Sequence, residues 1–463
     1  MIFTILLSSV IAVVPSKIEN LKKALKPWGS EAGFSLVDSK KREIFQHNGH
    51  EFYTPASIAK MISMACSLKE LGPQYQFQTK FGATGSITPG GVLQGDLVIE
   101  GLGDPTFVIE NLKENLERLF VVMGVREIKG SLIFLNRYFE KNTYEIADGF
   151  EGDSSRAFTA RLTSSPLNFN SFSVWVSGRT GFARAEILPK DVWDIKVSNH
   201  LTVHPGAPNV QINYPVGKNG LSVSGGISRE MEPRAWYRSL PDPYGSFARL
   251  VTRIWDELGG TWTAPKYQVV STPLNYTLLF THLSQPLSKI MMDINKLSTN
   301  FAAEMVLMAA ASGGGKRSTS PEKAVSYLRS CIESFPGDAK GLILGNASGL
   351  SREAKIRPSS FAGFLQEIPS TNVWPEYAST LSVLGRDGTT KSRMKEFEGR
   401  ARLKTGSLST VKSLAGYVFP KFEAAPMSFV LVVECKTASC TPQRIRGLED
   451  QVLETLLSWG PEE

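Results

Sequence analysis

Between Thr54 and Gly72 the apolar residues Ile58, Met61, Ile62, Ala65 and Leu68 recur every three or four positions, the period of one helix face. Thr54 and Pro55 read as N-cap and first helical residue, and Gly72 as the stop. The same period predicts helices over 17–25, 244–258, 301–311 and about 442–459, the last with Ile445, Leu448, Val452 and Leu456 on one face. Short apolar or alternating runs predict strands at 33–38 and 43–47, a hairpin around Ser39-Lys40-Lys41-Arg42, and at 401–408, 413–419 and 427–434. The simplest closure is one antiparallel sheet shared by both chain ends. Terminal helices would cover one face, and the 54–72 helix with its neighbours the other.

The middle of the chain has a different texture. Glycine-bounded, strand-like stretches at 91–101, 130–135, 172–176, 194–203, 210–214 and 221–227 dominate it. A mostly β insertion of one or two domains follows, because so long a segment is too much for a loop. The expected layout is 16–75 with 279–463 as one domain, 76–165 with 262–278 as a second, and 166–261 as a third.

Composition narrows the class. With 463 residues, 42% hydrophobic and 21% charged, the chain can bury large cores. Its net charge of +7 is spread among acidic residues without a compact basic tract, so nucleic acid is not an expected partner. Residues 2–14 form an apolar stretch of signal-peptide length, shorter than the ~20 residues of a membrane span. The expectation is a signal peptide over 1–15 and export to the periplasm, or to the outer face of the cytoplasmic membrane; an uncleaved anchor or a core segment is the alternative. Neither a basic residue before the run nor a clean A-x-A site after it marks the cleavage. Cys435 and Cys440 are close enough to pair across a turn, whereas Cys66 and Cys331 fall in separate helical runs. His47, His50, His200, His204 and His282 form neither a metal signature nor a triad pattern and read as surface or loop residues; no metal and no cofactor are expected.

Three strings carry the chemistry: Ser57-Ile58-Ala59-Lys60, Ser298-Thr299-Asn300 and Lys404-Thr405-Gly406. They match the S-x-x-K, S-x-N and K-T-G set of serine acyl transferases. A serine is nucleophilic at neutral pH only beside a base, and one helical turn puts Lys60 on the face of Ser57. Taken alone each string is weak. S-x-x-K also occurs at Ser320, Ser392 and Ser409, S-x-N recurs at Ser370, and Arg179-Thr180-Gly181 is a relaxed third motif. Order and setting discriminate: one S-x-x-K opens an apolar helix, one S-x-N precedes another, and the single K-T-G lies in a strand-like run.

The chain resembles the class C, low-molecular-mass penicillin-binding proteins of D-alanyl-D-alanine carboxypeptidase/endopeptidase type. Further blocks carry the resemblance: Gly95-Asp96-Leu97, Gly103-Asp104-Pro105-Thr106, Leu167-Asn168-Phe169-Asn170, Pro286-Leu287-Ser288, Asn346-Ala347-Ser348-Gly349-Leu350-Ser351 and Leu414-Ala415-Gly416-Tyr417. The resemblance implies an α+β transpeptidase domain, a five-stranded antiparallel sheet between helices, interrupted by the large insertion. It implies Ser57 as nucleophile, Lys60 as general base, Ser298 as proton relay and Asn300 as holder of the substrate amide and of Lys60. Lys404 with Thr405 and Gly406 would bind the substrate carboxylate, and the N–H groups of Ser57 and Ser407 would form the oxyanion hole. Implied partners are peptidoglycan stem peptides and β-lactams; a homo-oligomer stays open. Departures are Thr299 where aspartate is common and Asn346-Ala347 where the family often has Asp-Gly. The acidic residue that selects the stem side chain is not placed, Asp153 being a guess. The alternatives are a β-lactamase or esterase of the same superfamily, and a non-catalytic peptidoglycan-binding scaffold.

Overall fold

The computed structural model describes residues 16–146, 155–178, 182–190, 193–214, 220–263, 265–421, 425–436 and 440–459. The 1–15 segment, Asp153 and the Arg179-Thr180-Gly181 string lie outside them. The chain forms two compact units, one of Met1–Tyr75, Pro286–Ala311 and Pro321–Glu463, the other of Gln76–Gln285 with Ser312–Ser320.

The first unit is built on an antiparallel sheet in the order Ser382–Val383, Ala401–Ser407, Val411–Val418, Met427–Glu434, Ala32–Val37, Glu43–His47. Both chain ends meet in it, since Phe34 lies opposite Leu431. The expected five strands are present, and the two-residue Ser382–Val383 extends the edge to six. On one face the helix over 16–25 and the helix Pro442–Leu457 bury Leu21, Leu25, Leu448 and Val452 against Phe34, Leu403, Leu414 and Leu431. On the other, the helix Pro358–Glu367 receives Ser428 Oγ at the Ala362 carbonyl and Tyr417 Oη at the Leu365 carbonyl, both at 2.8 Å.

The serine-bearing segment differs from expectation at its start. Ala56–Ile58 is a 3-10 turn leading into the helix Ala59–Leu71, and Ala56 takes the left-handed φ of 51°. Thr54 is not its cap: its hydroxyl donates to Glu434 Oε1 at 3.1 Å and accepts from Lys355 Nζ at 2.9 Å. Every residue from Ala59 to Leu68 is buried, so this stretch is a core helix without a solvent-exposed face. Two disulfides are present. Cys435 pairs with Cys440 as expected, while Cys66 pairs with Cys331, tying the serine helix to the helix Pro321–Glu333.

The second unit is mostly β. Its largest sheet runs Tyr267–Val270, Leu132–Leu135, Leu97–Gly101, Gln78–Ala83, Thr277–Leu283, beside three smaller three-stranded sheets, two of them over 171–239. The expected 91–101 strand is two, Val92–Leu93 and Leu97–Gly101, broken where Gly95 lies against the backbone of Gly85. The helix Pro243–Glu257 starts where Asp242 accepts from Gly245 N at 2.9 Å and buries Phe247 against Phe134, ring centres 5.1 Å apart. One continuous apolar cluster takes in Phe81, Phe134, Val174, Val223, Trp255 and Phe280. It spans the expected boundary near 165, which explains why the contacts give one unit there rather than two. Because Thr277–Leu283 pairs with Gln78–Ala83, the stretch after Leu279 also lies in this unit, and the first unit resumes at Pro286. His282, expected on the surface or in a loop, is half-buried in that strand, edge-on to Phe107 at 5.0 Å. His47 and His200 also belong to strands, His200 being exposed as expected.

Candidate active site

All three motifs converge in the first unit. The 3-10 turn places Ser57, half-buried, against the strands Ala401–Ser407 and Val411–Val418. Ser413 Oγ donates to the Pro55 carbonyl at 2.7 Å, which pins the turn to the second of these strands. Gly406 is needed for the approach: a Cβ there would sit 2.1 Å from Ser413 Oγ and 3.0 Å from Ser57 N. Gly349 is needed on the other side, with φ of 78° and a would-be Cβ 1.9 Å from the Ala56 carbonyl oxygen.

Lys60 is fully buried, and its Nζ lies 3.0 Å from Ser57 Oγ. It donates to Asn300 Oδ1 at 2.6 Å and to the Ser348 carbonyl at 2.8 Å. Burial above all, and then the neighbouring Lys404 charge, pull its pKa well below the ordinary lysine range, against an opposite pull from Glu304. A base in that position is neutral far more often than a surface lysine. Lys404 is equally buried and donates to Ser298 Oγ at 3.0 Å and to the Thr405 carbonyl at 2.8 Å; burial brings its pKa down to about 7.

Ser298 closes the helix Leu287–Leu297 in the left-handed conformation, φ 65°, so the chain turns sharply before the helix Asn300–Ala311 begins. That turn sends Ser298 to Lys404 and Asn300 to Lys60. Thr405 Oγ1 meets Thr389 Oγ1 at 2.9 Å, and Ser407 Oγ accepts from Lys412 Nζ. The structure thus brings together Ser57, Lys60, Ser298, Asn300, Lys404, Thr405, Gly406 and Ser407, while neither Ser320 nor Ser409 stands where Ser57 does. Ser320 belongs to the second unit, and Lys412 is engaged with Ser407 rather than with Ser409.

Sequence reasoning passed over three neighbours. Glu304, one turn after Asn300, is buried and accepts from Ala347 N at 3.0 Å and Ser348 N at 2.9 Å. Ser348 contributes its carbonyl, and Thr389 its hydroxyl. An acidic residue amid the apolar run Phe301–Ala311 was the available signal for the first. Among the described residues, no group of His, Cys, Asp or Glu could hold a metal ion. Nor is any described helix long and apolar enough to cross a membrane.

A D-alanyl-D-alanine carboxypeptidase of Actinomadura sp. (strain R39) is 26% identical over 414 residues, spanning 84% of this chain and 75% of the relative. The D-alanyl-D-alanine carboxypeptidase DacB of Haemophilus influenzae is 25% identical over 403 residues, 85% of this chain and 83% of that one. In fold, the crystal structure of penicillin-binding protein 4 from Haemophilus influenzae superposes with a TM-score of 0.81 at 22% identity, covering 95% of this chain and 100% of that one. A predatory peptidoglycan endopeptidase from Bdellovibrio bacteriovorus gives 0.53 at 14% identity, covering 93% of each. The family model for the D-Ala-D-Ala carboxypeptidase 3 (S13) family matches residues 18–454. The chain therefore belongs to that family of serine-type D-Ala-D-Ala carboxypeptidases.

Proposed function

We propose that this carboxypeptidase works by acyl transfer through Ser57, with Lys60 as general base, on peptidoglycan stem peptides ending in D-alanyl-D-alanine. The observation that carries the reading is the buried Lys60 ammonium site, 3.0 Å from Ser57 Oγ and fixed by two acceptors. Neutral Lys60 takes the hydroxyl proton as Oγ attacks the penultimate D-alanine carbonyl. The N–H groups of Ser57 and Ser407 receive the oxyanion, each such donor being worth about 2.7 to 4 kcal/mol in the barrier. Collapse breaks the peptide bond; Ser298, bonded to Lys404, passes a proton to the departing D-alanine nitrogen. Water then hydrolyses the acyl ester. Lys404, Thr405 and Gly406 hold the terminal carboxylate, and Asn300 the peptide amide. Cleavage of a D-alanyl cross-link is the same reaction with a different leaving amine. Export through the 1–15 segment would bring the enzyme to this substrate, and the two disulfides fit an oxidising compartment.

A β-lactamase reading needs a carboxylate free to activate water on the acyl-enzyme. The acidic group beside Lys60, Glu304, is buried with both oxygens taken by backbone N–H groups, which favours slow deacylation and hence stable β-lactam adducts. Incubating the purified chain with a D-alanyl-D-alanine pentapeptide and with a cross-linked muropeptide dimer tests the proposal. D-Alanine release that disappears in Ser57→Ala supports it; release unchanged in that variant contradicts it.

A further inference from the structure

Two acceptors hold Lys60, and both trace back to one helix. Asn300 presents Oδ1 directly. Glu304, four residues on and so on the same face, accepts from Ala347 N and Ser348 N, the two amides of the segment whose Ser348 carbonyl takes the second Lys60 proton. That segment also reaches the nucleophile: Asn346 Oδ1 accepts from Gly349 N at 3.0 Å, and Gly349 packs on the Ala56 carbonyl one residue before Ser57. Ser63 Oγ, on the serine helix, donates to the Ala347 carbonyl at 2.8 Å and closes the loop of contacts.

A buried carboxylate is costly unless its oxygens are satisfied. Glu304 is 7% exposed, and an apolar side chain would suit the surrounding core. We propose that Glu304 is a positioning residue for Lys60: its carboxylate clamps the amides of Ala347 and Ser348, aims the Ser348 carbonyl at Lys60 Nζ, and supplies a negative charge that faces this ammonium.

Among the described residues, the charged groups bearing on Lys60 are Lys404, from the strand Ala401–Ser407, and Glu304, from the helix Asn300–Ala311; the loop 346–349 and the serine turn bring only neutral groups. Lys404 disfavours the lysine proton and Glu304 favours it. Losing Glu304's charge therefore lowers the Lys60 pKa further, and the base becomes neutral at lower pH. The clamp has a second consequence, because a glutamine can offer one oxygen but turns an NH2 group toward the other backbone N–H.

The inference rests on Lys60 serving as the base, and the test separates the two. The rate of acylation by a fluorescent penicillin is followed from pH 5 to 10 in wild type, Lys60→Ala, Glu304→Gln and Glu304→Asp, with circular dichroism to confirm folding. Glu304→Gln is expected to acylate about 10- to 100-fold more slowly on the plateau, as a misplaced general base would, and to move the acidic limb to lower pH. Glu304→Asp keeps the charge and misplaces the clamp, so its rate falls while the limb stays in place. Should Glu304→Gln not fold, Glu304→Asp still decides: a wild-type rate with that shorter side chain would overturn the clamp. A Glu304→Gln profile that superimposes on wild type, or that falls uniformly without moving its limb, would overturn the charge role. If Lys60→Ala acylates normally, the base assignment fails instead.

Discussion

Lys404→Met should yield a protein that is more stable than wild type at and below neutral pH while losing substrate carboxylate binding. Burial holds the Lys404 ammonium at a pKa of about 7 instead of the ordinary 10.5. At 1.36 kcal/mol per tenfold change in proton affinity, keeping that proton costs the folded state about 5 kcal/mol at pH below 7. Against this stands the loss of its bonds to Ser298 Oγ and the Thr405 carbonyl, worth about 1 to 3 kcal/mol together. A methionine fills nearly the same volume. The net gain is about 2 to 4 kcal/mol, or a rise of roughly 4 to 16 °C in the transition of the first unit. The sign with pH follows from the depressed folded value. Between pH 7 and 10.5 the unfolded state binds the proton that the folded state has shed, so wild-type stability climbs through this window. The advantage of Lys404→Met is then largest below pH 7 and fades toward pH 10. Calorimetric scans of both proteins at pH 6 and pH 9.5 read this directly. A lower transition temperature for the variant at pH 6, or a difference independent of pH, would refute the reasoning.

Other positions give equally definite expectations. Gly349→Ala should slow penicillin acylation at least tenfold, since a Cβ 1.9 Å from the Ala56 carbonyl displaces the nucleophile's turn; stopped-flow labelling checks it. Replacing Cys66 and Cys331 by serine should cost about 2 to 5 kcal/mol in urea unfolding, because that bridge closes a separation of 265 residues. The same change at Cys435 and Cys440, separated by 5 residues, should cost clearly less. Equal costs would count against the chain-entropy account.

Much of this molecule could be read from its residues, and what escaped did so for physical reasons. The serine helix announces itself through Ile58, Met61, Ile62, Ala65 and Leu68, and the terminal strands through largely apolar runs such as Met427–Glu434. The start of that helix differs from expectation because Thr54-Pro55 has the composition of a cap, whereas the hydroxyl is claimed by Glu434, a residue far away in sequence. Cys66 and Cys331 gave no local signal, as their pairing depends on two helices meeting in space. In the second unit Gln78–Ala83 and Thr277–Leu283 lack a clean alternation and become strands through each other, so the end of the insertion moved. Within the site, the motif residues are legible because their order and setting single out one S-x-x-K, whose spacing puts Lys60 beside Ser57. Glu304 was not, because its partners are backbone amides, which leave no trace in side-chain identity.

The most direct test of the central claim is to label the purified chain with a fluorescent penicillin and map the modified peptide by mass spectrometry, with Ser57→Ala alongside. A stable adduct on Ser57 that vanishes in the variant is the predicted result. A well-folded wild-type chain that takes no label, or carries it on another residue, would contradict the acyl-serine mechanism.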